Sequence, residues 1–291
     1  MKICWFNEDK LGVVQDGAVF DVSAALQSLP APTYPNREGD LAIANLPALR
    51  DAIEKQLPQA QSYPLETVKL LSPVANPGKI IGVPVNYQKH VEEALADVAT
   101  FTTRETGSVT EQGLFLKANS SLIGCSEAVH ITMPERLTHH EIELAVIIGK
   151  HARNVSEADA LSYIAGYSIA LDMTVRGAED RSMRKSLDTY SVLGPWLVTA
   201  DEIADPQRLN MRLTVNGEDR QVANTAEMIV YIAEQIAWAS RFYTLEPGDV
   251  IMTGTCEGVG PVVGGDIMHA EIEGIGSMQV VVTADQAVAV A

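Results

Sequence analysis

Residues 141–148, Glu-Ile-Glu-Leu-Ala-Val-Ile-Ile, constrain the fold of this chain more than any other stretch. Strand periodicity places Glu141 and Glu143 on one face and Ile142, Leu144 and Val146 on the other. Beyond Glu143 the run is too apolar to make a comfortable surface strand. If it is buried, two neighbouring carboxylates repel, and leaving either unpaired is costly. A divalent cation resolves that conflict. For an E-x-E motif taken alone, the solvent-facing edge of a half-buried strand is the commoner outcome, and the apolar flank shifts the balance only slightly.

The rest of the chain narrows the class. Its 291 residues carry 21 Lys+Arg against 38 Asp+Glu, a formal charge of −17, with 46% apolar and 20% charged residues. That is globular composition, long enough for one large domain or two unequal ones. The acid excess and the absence of a basic stripe argue against nucleic acid as a partner. Three cysteines, Cys4, Cys125 and Cys256, stand far apart with no CxxC pair, which supports neither a disulfide framework nor a zinc knuckle. The N-terminus meets charge too early for a secretory signal, and no apolar run approaches the roughly 18 residues that span a bilayer. The expectation is a soluble, cytoplasmic protein with no membrane partner.

Texture changes along the chain. Short alternating stretches around Gly12–Val14 and Ala18–Phe20 suggest a small sheet, followed by prolines and a helical pattern from Leu41 to Leu57. The breaker cluster Leu71-Ser72-Pro73-Val74-Ala75-Asn76-Pro77-Gly78 is expected to separate a small N-terminal domain, 1–73, from a larger one, 74–291, the alternative being a long loop inside one domain. In the larger part, strands are expected at 79–83, 114–116, 141–148, 167–172, 211–215 and 250–253. Helices are expected at 90–98, 157–164, 178–185 and 225–242. The polar stretch 99–113 reads as either a surface loop or a mobile lid.

Several side chains could carry chemistry. Asp172 ends an apolar run, where an acid is usually a turn residue or helix cap but is also placed to meet a metal. Three carboxylates without paired histidines make a hard oxygen site, suited to Mg²⁺, Mn²⁺ or Ca²⁺ rather than Zn²⁺. His90 and Glu93 fall on one helical face, the spacing of an oriented general base, although an incidental surface pair is the commoner case. Lys185, if it faces the acids, balances three negatives and a dication. The Gly-rich turn Met252–Gly260 lacks any nucleotide-binding spacing. His139 and His140 are not read as ligands.

In order along the chain, these segments resemble the fumarylacetoacetate hydrolase family. The matching stretches are Asn86-Tyr87…His90…Glu93, Phe115-Leu116-Lys117, His140-Glu141-Ile142-Glu143-Leu144, Gly166-Tyr167…Leu171-Asp172-Met173-Thr174, Lys185-Ser186, Gly194-Pro195, Val215-Asn216-Gly217 and Leu245–Thr255. The resemblance implies an α+β fold, with a mixed β-roll or β-sandwich catalytic domain behind a small α+β N-terminal domain, usually in a homodimer. It implies Mg²⁺ or Mn²⁺ on Glu141, Glu143 and Asp172, a water-activating dyad of His90 and Glu93, and a catalytic Lys185. Thr255, together with Tyr87 and Glu179, is expected to contact substrate. Gly177, Glu179, Pro84, Val85 and Cys256 depart from residues common in the family, which bears on substrate more than on the catalytic apparatus.

The function this implies is metal-dependent hydrolysis of a C–C bond in an acylpyruvate or β-diketone, in aromatic catabolism. The partner is then a small 2-oxo acid or 1,3-dicarbonyl. Two alternatives stay open. One is decarboxylation, isomerisation or hydration of a 2-oxo acid through the same enolate. The other is a non-catalytic metabolite-binding relative, against which the intact dyad argues.

Overall fold

A computed structural model describes residues 1–33, 39–96 and 108–286. Its fold is mixed α+β. The strand Ile142–Ile148 is buried along its whole length and lies inside an eleven-stranded mixed sheet. It pairs antiparallel with Ile164–Asp172 on one side and Val250–Met252 on the other. Beyond Ile164–Asp172 come Ser191–Thr199 and then Lys2–Phe6, Lys10–Gln15, Ala18–Asp21 and Gln61–Pro64, so the N-terminal strands extend the same sheet. Beyond Val250–Met252 come the parallel strand Ile80–Gly82 and the edge strand Phe115–Lys117.

Alternation along the central strand divides the interior into two cores. Ile142, Leu144, Val146 and Ile148 pack on one face. There the layer is a five-stranded sheet ordered Glu218–Asn224, Asn210–Val215, Ile267–Ile272, Gly276–Ala284 and Val129–Ile131, with the helix Ile232–Phe242 beside it. Ala145 and Ile147 pack on the opposite face with Ala170, Leu193 and Leu197, under Leu46, Leu49 and Ile53 of the helix Leu46–Gln56. Glu141 and Glu143 fall in step with Ala145 and Ile147. Asp172 falls in step with Ala170, opposite Glu143 in the ladder. Strand register therefore brings the three acids to one face at one end of the sheet.

One buried carboxylate ties the first helices to the rest of the chain. Asp40 caps the helix Leu41–Ala44 by accepting from the N–H groups of Ala42 and Ile43 through Oδ1. Its Oδ2 accepts from the N–H groups of Ala75 and Asn76. Gly248, at φ +87°, passes so close that a Cβ there would lie 2.4 Å from Asp40 Cβ. We expect Asp40→Ala to cost about 2–3 kcal/mol, the loss of a cap plus stranded buried donors. A fall in Tm of roughly 5 °C is the checkable result; an unchanged Tm would show that the N–H groups find other partners.

The elements differ from the sequence expectation where tertiary partners intervene. The helix expected at 225–242 splits into a 3₁₀ turn, Thr225–Glu227, and the helix Ile232–Phe242. Between them the Asn86 side chain takes both the N–H and the C=O of Val230, and the Asn86 carbonyl takes the Ile229 N–H, so the backbone is stitched out of the helix. The 178–185 helix shortens to Arg181–Arg184, started by Asp180, whose carboxylate accepts from Ser182 N–H. The 157–164 helix ends at Ala160 in a 3₁₀ turn because Ile164 already belongs to a strand. Ser191–Thr199 was hidden by the Gly194-Pro195 pair inside it, since proline normally argues against an interior strand. Most of the 99–113 stretch lies outside the described residues. Its end is the short helix Val109–Gln112, closed by a Ser108–Glu111 capping box. No helix among the described residues is long and apolar enough to cross a membrane.

Candidate active site

Glu141, Glu143 and Asp172 are all buried and can each offer an oxygen within 4.8 Å of the others. They open into a narrow cavity whose wall also includes His90, Phe115, Arg176, Arg181, Lys185 and Thr255. Seven of the nine side chains singled out from sequence are thus brought together: the three acids, His90, Lys185 and Thr255 in the wall, and Glu93 through its bond to His90.

Two of the acids are already matched by cations. The Lys185 ammonium donates to Glu141 Oε2 at 2.6 Å, to Asp172 Oδ2 at 2.6 Å and to Thr174 Oγ1 at 2.7 Å, using all three protons. Arg176 donates to Glu141 Oε1 at 3.1 Å. Lys117, on the edge strand, donates to Asp172 Oδ1 and to the Tyr190 carbonyl. The balance of one lysine against three acids expected from sequence is therefore corrected: three cations bond to the acids. Burial pushes the Glu141 carboxyl up, but Lys185 and Arg176 outweigh it and hold the group well below the usual carboxylate range. Burial pulls Lys185 down, yet Asp172 and Glu141 raise it above its ordinary value. For Lys117, burial wins over Asp172 and lowers it.

Glu143 is the exception. Its Oε2 accepts the Gly254 N–H at 2.7 Å, and among the described residues it forms no ion pair. Burial first, then the neighbouring Asp172, push its carboxyl well above the ordinary range. A buried carboxylate that lacks a counter-charge beside two others is the arrangement a divalent cation stabilises, and the all-oxygen donor set fits a hard ion. The residues present fit such a metal.

The dyad is held from two sides. His90, in the first turn of the helix Gln88–Ala96, has its Nδ1 2.8 Å from Glu93 Oε2. With the proton on Nδ1, as that contact assigns it, Nε2 is left as the acceptor. Glu93 Oε1 accepts the Gly258 N–H at 3.0 Å. Gly254 and Gly258 both have φ near +90°, and a Cβ on Gly258 would lie 2.0 Å from the Arg220 carbonyl. The Gly-rich turn thus works by backbone approach: one N–H steadies Glu143 and another steadies Glu93.

Thr255 Oγ1 donates to the Ile142 carbonyl at 2.8 Å and accepts from Gln221 Nε2 at 2.8 Å. Gln221 also takes the Ile142 N–H and contacts His140 Nδ1, so one side chain locks the threonine to the acid-bearing strand. Tyr87 and Glu179 do not line the cavity. Tyr87 is buried in the apolar core with its hydroxyl 3.4 Å from Met211 Sδ. Glu179 is drawn outward to Arg136, 2.8 Å away. Residues not singled out from sequence are Lys117, Arg176, Arg181 and Gln221. The only signals available were a lysine ending the short strand after Phe115 and an arginine four residues past Asp172, both indistinguishable from surface charges in sequence.

The model of the fumarylacetoacetate hydrolase C-terminal domain matches residues 79–283. A maleylpyruvate hydrolase from Aquipseudomonas alcaligenes is 54% identical over 288 residues, 97% of this chain and 99% of that one. The oxaloacetate tautomerase fahd2 of Xenopus laevis is 35% identical, over 91% of this chain and 83% of that one. Among solved structures, maleylpyruvate hydrolase from Sphingobium sp. SYK-6, in complex with manganese(II) and pyruvate, superposes with a TM-score of 0.83 at 41% identity, covering 98% of this chain and 100% of that one. The chain belongs to the fumarylacetoacetate hydrolase family, and its fold is the one those structures share.

Proposed function

We propose that this protein is a divalent-metal-dependent hydrolase that cleaves the C–C bond of an acylpyruvate, maleylpyruvate being the model substrate. The observation that carries the reading is the His90–Glu93 dyad sharing one cavity with the acid triad, in a chain 54% identical to a maleylpyruvate hydrolase. A metal on Glu141, Glu143 and Asp172 supplies Lewis-acid polarisation of the 2-oxo acid end. The chain's own groups do the rest. His90 Nε2 takes a proton from water as the oxygen adds to the distal carbonyl carbon. Glu93 holds the imidazole tautomer and faces the positive charge that forms. The bond between that carbon and the pyruvoyl methylene then breaks. Its electron pair passes into pyruvate enolate, which is protonated to pyruvate while the acyl part leaves as a carboxylic acid. The Lys185 ammonium faces the developing negative charge. Thr255, locked by Gln221, forms part of the wall that positions the substrate.

The family resemblance further supports Mg²⁺ as an alternative to Mn²⁺, a homodimer, and a cytoplasmic setting. Product NMR on an acylpyruvate panel, with Mg²⁺, with Mn²⁺ and with EDTA, tests the reading. The expected result is metal-dependent release of pyruvate plus one carboxylic acid. Tautomerisation or decarboxylation of oxaloacetate without C–C hydrolysis of any acylpyruvate would overturn it.

A further inference from the structure

We propose that His140, on the far side of its strand from the cavity, is a positioning residue for the reaction: through Gln221 it holds Thr255 in place against the substrate. The inference rests on the acylpyruvate reading above. It begins with strand alternation. Glu141 and Glu143 line the cavity, so His140 and Ile142 face the other way, into the core between the sheets. His140 closes the strand Thr138–His140 and is fully buried. Among the described residues its ring has one hydrogen-bond partner, Gln221, whose Oε1 lies 3.0 Å from Nδ1.

The ladder beside it explains what that bond controls. Met252 lies opposite Ala145, and the Thr253 N–H still reaches the Leu144 carbonyl. Continuing that register sets Thr255 opposite Ile142. There side chains take over from the backbone. The Ile142 carbonyl accepts the Thr255 hydroxyl at 2.8 Å, and the Ile142 N–H donates to Gln221 Oε1 at 3.0 Å. Gln221 Nε2 donates to Thr255 Oγ1 at 2.8 Å and to the Cys256 carbonyl at 3.0 Å. The Gln221 amide, reaching in from the five-stranded sheet, thus stands between the two strands as a wedge, with Thr255 held in the cavity wall beside it. A backbone N–H at one end and a backbone carbonyl at the other fix which end of the amide is oxygen. His140 then donates from Nδ1, as the second donor on Oε1. Without it Oε1 keeps a single donor, and the last torsion of a glutamine is soft, so the amide can turn and carry Nε2 off Thr255.

Calorimetric titration of pyruvate into the Mn²⁺-loaded enzyme reads the placing of Thr255 without turnover. We expect His140→Phe to weaken pyruvate binding about 3- to 10-fold, the scale of one lost hydrogen bond. His140→Asn, whose side-chain N–H stands near the place of Nδ1, should bring the affinity back to about the wild-type value. In a Thr255→Val background His140→Phe should change nothing further, since a residue that acts through Thr255 has nothing left to position. The rise in Tm on adding Mn²⁺ should be the same in the His140 variants as in the wild type, because the ring bonds to none of the three acids. No loss in His140→Phe, an equal loss in His140→Asn, an additive loss in Thr255→Val, or a loss that follows the Mn²⁺-dependent rise in Tm would each overturn the assignment. Should His140→Phe fail to fold, His140→Gln, whose amide falls at the place of Nε2 instead, makes the same comparisons with the same outcomes. The expected pattern in a protein that cleaves no acylpyruvate would sink the hydrolase reading and leave the role of His140 standing.

Discussion

Replacing His90 by Gln should lower kcat for acylpyruvate cleavage by about 10²- to 10⁴-fold, the range that removal of a positioned general base produces. The metal site should survive, because His90 contributes none of the three carboxylates and its Nδ1 lies against Glu93, which is steadied independently by the Gly258 N–H. The rise in Tm on adding Mn²⁺ should therefore match the wild type. Glu93→Gln should fall less far, since the imidazole stays in place and loses only its orienting charge. Ranking the two variants separates a catalytic dyad from an incidental helical pair. If His90→Gln turns over at the wild-type rate, the proton is taken elsewhere. If kcat falls only together with the Mn²⁺-dependent rise in Tm, His90 supports the metal site and is not the base.

That dyad was legible in sequence because both members sit on one short helix, where spacing alone brings them together. The pairing of Glu141 with Glu143 was legible for the same kind of reason, the period of a strand. Asp172 was only a candidate, since its convergence with the glutamates depends on the ladder between Ile142–Ile148 and Ile164–Asp172 and on its register. The family resemblance alone carried the long-range convergence of the acids, Lys185 and Thr255; contacts outside its motif roles stayed hidden. Lys117 reaches Asp172 across 55 positions, and Gln221 reaches Thr255 across 34. No local pattern marks either contact. The helix broken by Asn86 failed for the same reason: residues 225–242 have helical periodicity, and a side chain some 140 positions earlier overrides it. Tyr87 and Glu179 show the converse. Proximity in sequence to a motif carried them into the expected site, while a core methionine and a surface arginine hold them elsewhere.

Glu143→Gln should separate the two things the triad does. In EDTA the wild-type protein holds an unmatched buried carboxyl whose pKa is raised by burial and by Asp172. A raised folded-state value means that the stability Glu143 contributes is fully present below the ordinary carboxylate range. It is lost as pH rises through the folded value. The variant has nothing to titrate there, so in EDTA it should match the wild type in acid and become the more stable of the two as pH rises. Saturating Mn²⁺ should reverse the order. A ligand at about 100 times its Kd stabilises by about 2.7 kcal/mol, several degrees in Tm for a chain of this size. The variant, with one charged oxygen ligand gone, should lose most of that gain and nearly all turnover. Because the wild-type carboxyl must ionise to hold the metal, binding should also release a proton, seen as a dependence of calorimetric heat on buffer ionisation enthalpy that the variant lacks. An equal Mn²⁺-dependent rise in Tm for both proteins, with kcat unchanged, would remove Glu143 from the metal site. The raised carboxyl would then be a cost of burial that this fold bears for some other reason.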